Sequence, residues 1–444
     1  MAKIKVGFVS LGCSKNQIDT EIMLKHLVDG GYEITGDETV ADVVIINTCA
    51  FIESAKKEAI ENILDIAWLK EHRSLKGIVV TGCLAQRYGE EIFAELPEVD
   101  AVVGVGSIHE IEKAVDAAYR GKRFYSCLDK NTVKLGGDRI IVTPEYTAYL
   151  KIAEGCDNRC TYCAIPDIRG VFRSRPIEDI VEEAKNLESI GVKELNIVAQ
   201  DTSRYGLDLY GEYSLARLVR AITEATNIPW IRLLYCYPDK ITDELVEEFK
   251  TNDRLLKYID LPVQHCNDRI LKRMNRHGGK AVITDAIARL RAAVPEIVIR
   301  STGIVGFPGE SEEEFSEFCQ FVKDIKFDHF GAFTYSAEED TKAAVMPNQI
   351  PQELKDERLD ILMKRQAEIS LSQNQKRIGE TCRVLVTGRE GSQYIGRSQW
   401  EAPETDGQIY FTSAKPLQVG TFTRVTLTGA ETYDLMGVAN ESAQ

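Results

Sequence analysis

Residues 154–163 read EGCDNRCTYC and place Cys156, Cys160 and Cys163 in the pattern C-x3-C-x2-C. Three thiols in one short loop, with no fourth cysteine or histidine beside them, do not suit a structural zinc site. Such a site is closed by four ligands, usually as two separated pairs. They do suit a four-iron cube, because thiolates are the ligands of iron–sulfur clusters. Three thiolates on a cube leave one iron open, and an open metal position is where chemistry takes place.

The loop follows an apolar run, AYLKIAEG (148–155), which reads as a strand. Five more such runs follow: ELNIVAQD, WIRLLYC, KYIDLPVQH, IVIRSTGIVG and DHFGAFTYS. Helical patterns such as IEDIVEEAKNLESIG and SLARLVRAITEAT separate them. This alternation predicts parallel strands with helices between them. Six units fall short of the eight that close a barrel, so residues 148–375 are expected to form a partial (β/α)6 barrel. Its strand C-termini, and with them the three-cysteine loop, form the active face.

Upstream, the runs IKVGFVS, DVVIINT, GIVVTG and AVVGV predict an open parallel α/β sheet over residues 3–119, with helices beginning near Gln17, Glu53, Gly89 and His109. Cys13, Cys49 and Cys83 each stand just past a strand, after LG, NT and TG. Their spacings match one βαβ unit each. The carboxyl ends of parallel strands are where open α/β sheets place ligands, so a second three-thiol site is expected there. Free cysteines buried in a core would instead fall within the strands. Residues 120–147 read as a connector.

Downstream, IPQELKDERLDILMKRQAEISLSQNQ predicts a long helix leading out of the barrel. From about Arg377 the pattern changes to period two, and five short runs with Gly-rich turns predict a small antiparallel β-barrel over 377–444. The whole is an α/β multidomain chain.

Composition narrows the function classes. The 444 residues are 44% hydrophobic, enough for several cores. No apolar run approaches membrane-spanning length. The start reads as a first strand, not a signal peptide, so a cytoplasmic address is expected. Eleven cysteines in that setting indicate metal or catalytic use before disulfides. The formal charge of −15 argues against strong nucleic-acid binding and suits a basic partner.

These residues resemble the methylthiotransferases, within the radical S-adenosylmethionine (SAM) superfamily. The matching stretches are FVSLGCSKNQIDTE, NTCAFIESAKKEAI, GCLAQRYGEE, EGCDNRCTYCAIPDIRGVFRSRP, VAQDTSRYG and STGIVGFPGE. The resemblance covers Val6 to about Val438 and implies a methylthiotransferase domain, a radical SAM core and a C-terminal TRAM barrel. It implies that Cys13, Cys49 and Cys83 ligate an auxiliary 4Fe–4S cluster. Cys156, Cys160 and Cys163 would ligate the radical cluster, whose open iron chelates S-adenosylmethionine. The cluster's electron would cleave the cofactor to a 5′-deoxyadenosyl radical that abstracts hydrogen. No further catalytic residue is assigned. Tyr162 would sit against the adenine. Gly303, Gly306 and Gly309 would let backbone approach the nucleoside. Gln200 and Asp201, ending the second barrel strand, would face cofactor or substrate.

The implied reaction replaces a β-hydrogen of an aspartate in the small-subunit ribosomal protein numbered twelve by a methylthio group. An electron donor of flavodoxin or ferredoxin type is implied with it. A sister branch with the same architecture acts on an adenosine beside the tRNA anticodon. The C-terminal barrel carries six Lys/Arg against eight Asp/Glu, the wrong sign for a phosphate footprint, and so favours the protein substrate. A zinc protein scaffolding RNA is the alternative from another class, and neither triad supplies its four ligands. Ser14 stands where the family often has proline. Cys236 and Cys266, at barrel strand ends, are expected to pack. Cys127, Cys319 and Cys382 receive no role, and His265 is the one histidine at a strand end.

Overall fold

The computed structural model describes residues 3–440; residues 1–2, and residues 441–444 of the expected C-terminal domain, lie outside the described residues. The N-terminal sheet has six parallel strands in the spatial order Glu33–Thr35, Lys5–Ser10, Val43–Thr48, Gly77–Gly82, Ala101–Gly104, Phe124–Ser126. Val43–Thr48 and Gly77–Gly82 are buried throughout, as expected of central parallel strands covered by helices on both faces. The connector contributes the last strand, Phe124–Ser126. Both edge strands are three residues long, too short to show a period.

Two helix starts differ from the sequence reading. The helix expected near Gly89 begins at Cys83 and runs to Tyr88, followed by Glu91–Glu95. The strand turns into it directly at Gly82. The stretch at His109 is a 3-10 turn, Val105–Glu110, that leads into the helix Ile111–Tyr119.

The central domain is an open sheet of six parallel strands in chain order: Thr147–Lys151, Glu194–Val198, Trp230–Leu233, Leu255–Asp260, Val298–Val305 and His329–Thr334. All six lie where the sequence places them. Alternate residues face the helical layer or the lumen. Phe330 packs on Phe318 and Phe327 on the helical side, so Arg300 and Phe333 face inward. A two-residue ribbon, Ala153–Glu154 against Arg173–Ser174, ties the base of the cysteine loop.

The helix Gln352–Lys376 packs along the last barrel strand and leads to five strands that close into a barrel. Ile409–Thr412 and Leu435–Ala439 pair in parallel; the other pairings are antiparallel. A ring of five strands cannot alternate direction all the way round, so closure itself requires one parallel pair.

The loop Ser398–Asp406 of this small barrel plugs the N-terminal end of the central lumen. Arg397 and Arg232 pin Glu194 from two domains, at 2.5 and 3.0 Å. Asp406 accepts from Tyr258 at 2.6 Å and lies 3.3 Å from Arg300.

Candidate functional site

Each cysteine of the N-terminal triad is delivered by a strand end. Cys13 caps the helix Ser14–Asp29, Cys49 follows Thr48, and Cys83 opens the helix Cys83–Tyr88. The backbone is drawn tight around them. Gly82 has φ +91°, and a Cβ there would strike Asn47 Oδ1 and the Thr48 carbonyl, so only glycine fits. The three thiols lie within electrostatic reach of one another and of Arg169. Burial pushes the Cys83 thiol up to about 12. At Cys13 burial also opposes ionisation, but Lys15, Arg169 and the N–H groups of Asn16 and Lys15 outweigh it and lower the thiol's pKa. By surface area Cys13 is nonetheless exposed, its desolvation coming from the dense chain around the thiol, while Cys49 is half-buried and Cys83 buried.

The second triad sits in a loop locked on every side. Gly155 (φ +79°) enters it, and a Cβ there would overlap the Val171 carbonyl. Thr161 is held by Met274 O and Arg273 O, at 3.0 and 2.8 Å. Asn275 donates to the carbonyls of Asn158 and Arg159, both at 3.0 Å. Asn158 is clamped by Asp201 at 2.7 Å and Lys240 at 2.8 Å, which leaves its Nδ2 3.5 Å from Cys156 Sγ. Burial, with help from Asp201, raises Cys156 to about 11. Burial and the neighbouring Cys160 raise Cys163. Arg276 lies 4.0 Å over the Tyr237 ring, whose hydroxyl is 3.9 Å from Cys160 Sγ.

The donor sets fit two clusters. Each offers three thiols, and each has a guanidinium beside it, suited to an anionic group. Ligation would ionise the thiols and release their protons. Among the described residues no three His, Cys, Asp or Glu converge on a single ion. The thiolates of a cube bind different irons and need not converge on one point.

Other sequence-predicted residues divide by position. Gln200 reaches back to Glu154 at 2.6 Å, and Asp201 is fully buried and engaged with Asn158, Lys240 and Ser203. Both brace the loop. Tyr162 packs beside Ile270, Met274 and Phe307. Gly303 makes room for Phe318 and Phe330 and Gly306 for Lys355, while Gly309, at φ +76°, lies near Arg273. Cys236 and Cys266 are fully buried in the barrel core. His265 is fully buried against Phe318 and does not reach the lumen.

Sequence reasoning missed the seam between the domains. Arg169 Nη1 binds Asp19 at 2.6 Å and Glu154 at 3.3 Å, while its Nη2 reaches Asn16 and lies 3.6 Å from Cys83 Sγ. Lys151 binds the same two carboxylates at 2.6 and 2.8 Å. A buried network thus runs from the first triad to the second loop. At the opposite edge of the open barrel, buried Glu338 holds Arg87 at 3.2 Å and Lys56 at 3.6 Å. The N-terminal domain therefore clasps both edges of the barrel mouth. Phe333, 58% exposed, lies on the inward face of the last strand, and Lys15 places its Nζ 3.3 Å from the centre of the Tyr235 ring. A lone phenylalanine or lysine carries no sequence signal of such a position.

Comparison with known proteins finds three family matches along the chain. Residues 5–104 match the "Uncharacterized protein family UPF0004", residues 150–322 the radical SAM superfamily, and residues 378–439 the TRAM domain. A solved structure of the radical SAM methyltransferase TsrM from Kitasatospora setae shares the fold, with a TM-score of 0.56, 15% identity and 75% of each chain covered. The chain is 50% identical to the ribosomal protein uS12 methylthiotransferase RimO of Desulforamulus reducens, over 97% of this chain and 98% of that one. It is 49% identical to that of a Thermoanaerobacter species, over 97% and 99%, and 46% identical to that of Clostridium novyi over the full length of both. With two thiol triads on one barrel mouth and such relatives along its whole length, the chain belongs to the RimO family of radical SAM methylthiotransferases.

Proposed function

We propose that this chain replaces a β-hydrogen of an aspartate in ribosomal protein uS12 by a methylthio group, with Cys13, Cys49 and Cys83 holding the auxiliary cluster and Cys156, Cys160 and Cys163 the radical cluster. The observation that carries the assignment is the Arg169 network, which ties Cys83 to the loop of Cys156 through buried, directly hydrogen-bonded groups. When bound, the two 4Fe–4S clusters and S-adenosylmethionine supply one-electron cleavage, sulfur and the methyl group. An unactivated C–H bond is too weakly acidic for a side-chain base, so no proton-transfer group is called for.

The chain's own residues hold and exclude. Asp201, Lys240 and Asn275 fix the radical loop; Arg169, Asp19 and Lys151 fix the auxiliary domain over it. The plug of Arg397, Glu194 and Arg232 shuts the far end of the lumen to water. Such rigid placement of reacting groups supplies much of the rate in a reaction between bound partners.

The electron donor is proposed to be of flavodoxin or ferredoxin type and the location cytoplasmic; among the described residues no helix is long and apolar enough to cross a membrane. Anaerobic incubation of the reconstituted enzyme with uS12, S-adenosylmethionine and a reductant tests the function. The expected result is a mass gain on the target aspartate of one methylthio group less one hydrogen. A gain on tRNA and none on uS12 overturns it.

A further inference from the structure

Lys15 is a buried cation without an anion. It is 6% exposed. Among the described residues no carboxylate forms an ion pair with its Nζ, which lies 3.3 Å from the centre of the Tyr235 ring. Tyr235 belongs to the barrel, so this lysine of the N-terminal domain extends its ammonium across the domain seam to the mouth. It stands within electrostatic reach of Cys13.

The placement is unfavourable on local grounds. Lys15 is in the first turn of the helix Ser14–Asp29, which has no acidic residue there, and a cation at that end opposes the helix dipole. A buried ammonium normally acquires a partner. The surrounding carboxylates are taken. Asp19 and Glu154 hold Lys151 and Arg169. Asp260 holds Arg300 and the Tyr235 N–H, at 2.9 and 3.0 Å, and Asp201 holds Lys240. What remains is a desolvated positive charge over an aromatic face at the mouth, beside the thiol triad to which the sulfur-offering cluster is assigned.

We infer that Lys15 is the substrate-recognition residue that binds the side-chain carboxylate of the target aspartate. The inference rests on the functional reading above and deepens it. An ammonium in a water-poor site discriminates a carboxylate from a neutral isostere, because the neutral group leaves the charge unpaired. It would fix the aspartate by the end that does not react, with the β-carbon one bond away. The cofactor's methionine carboxylate is the other carboxylate present in the reaction. Lys15 comes from the auxiliary domain and stands within electrostatic reach of Cys13, and among the described residues no hydrogen bond or ion pair joins its side chain to the radical loop, which favours the substrate.

The test uses reconstituted holoenzyme with S-adenosylmethionine and no reductant, and measures binding of uS12 carrying either aspartate or asparagine at the modified position. Wild type is expected to prefer aspartate by about 10- to 100-fold. In Lys15→Met that preference falls to about one, through loss of aspartate binding alone, while Lys15→Arg retains part of it. Iron content, visible spectrum and cofactor affinity stay as in wild type. A preference that survives in Lys15→Met overturns the inference. So does a changed cluster spectrum, which would make Lys15 a partner of the cluster, or a loss of cofactor affinity, which would assign it to the methionine carboxylate. If Lys15→Met does not fold, Lys15→Gln replaces it. Failure of wild type to methylthiolate uS12 refutes the functional reading instead; modification of uS12 with equal binding of aspartate and asparagine refutes only the role of Lys15.

Discussion

Replacing Arg169 by glutamine removes the cation that joins Cys83 to Glu154 across the domain seam. Its partners are buried, at 2.6 Å for Asp19 and 3.3 Å for Glu154, and removing one member of a buried pair costs about 3–5 kcal/mol. Lys151 remains on both carboxylates, at 2.6 and 2.8 Å, so one of the two cations is retained and the cost falls at the low end, about 3 kcal/mol. That is roughly a hundredfold in the local opening equilibrium. Native-state hydrogen exchange on the metal-free chain reads it directly. Amides of residues 14–20 and 151–156 should lose about a hundredfold in protection, while those of the small C-terminal barrel are unchanged. A loss below about tenfold would place the network in the range of exposed ion pairs and refute the idea that it holds the two loops together.

Other expectations follow from the same geometry. Cys156→Ala should abolish reductive cleavage of S-adenosylmethionine, whereas Cys13→Ala should retain most of it and lose methylthiolation. Each variant should hold about four irons per chain in place of about eight, measured by iron assay and turnover. Gly155→Ala forces a Cβ into the Val171 carbonyl at φ +79°. It should cost about 1–2 kcal/mol from the backbone conformation alone and cut radical-cluster loading, seen as lost iron and visible absorbance. Burial lowers the pKa of His265 from 6.5 to about 3, while its Nδ1 accepts from the Asn267 N–H at 3.0 Å. The folded state thus binds fewer protons than the unfolded chain, and stability should fall as pH drops from about 6.5 towards 3. The contribution is on the order of a few kcal/mol; His265→Gln should flatten that part of the pH–stability curve in denaturant titrations.

The elements that define the site were legible because each carries a local signal. The six barrel strands are apolar runs at βα spacing, the second triad is a contiguous motif, and the first repeats at βαβ intervals. What was not legible lacks such a signal. Glu33–Thr35 and Phe124–Ser126 are too short for a period and form only because a neighbouring strand supplies hydrogen bonds. Arg169 and Asp19 lie 150 positions apart, and a pairing at that distance has no trace in one sequence. Gln200 and Asp201 were placed at the right strand end. Their partners within the chain, Glu154 and Asn158, are set by how the loop folds back. In the Gly-rich turn at 303–309, the crowding of Gly303 by Phe318 and Phe330 and of Gly306 by Lys355 comes from distant segments and has no local signal.

The plug of the lumen bears on how such an enzyme is dissected. Three domain families meet in this chain, which invites cutting it at residue 377. Yet Glu194, Arg232, Tyr258 and Arg300 would then lose Arg397, Gln399 and Asp406, their counterparts on the far side. A core trimmed at that seam would open a charged, half-solvated floor beneath its own reaction chamber. The terminal barrel is in this sense the bottom wall of the chamber, and any graft or truncation must carry the loop Ser398–Asp406 with it.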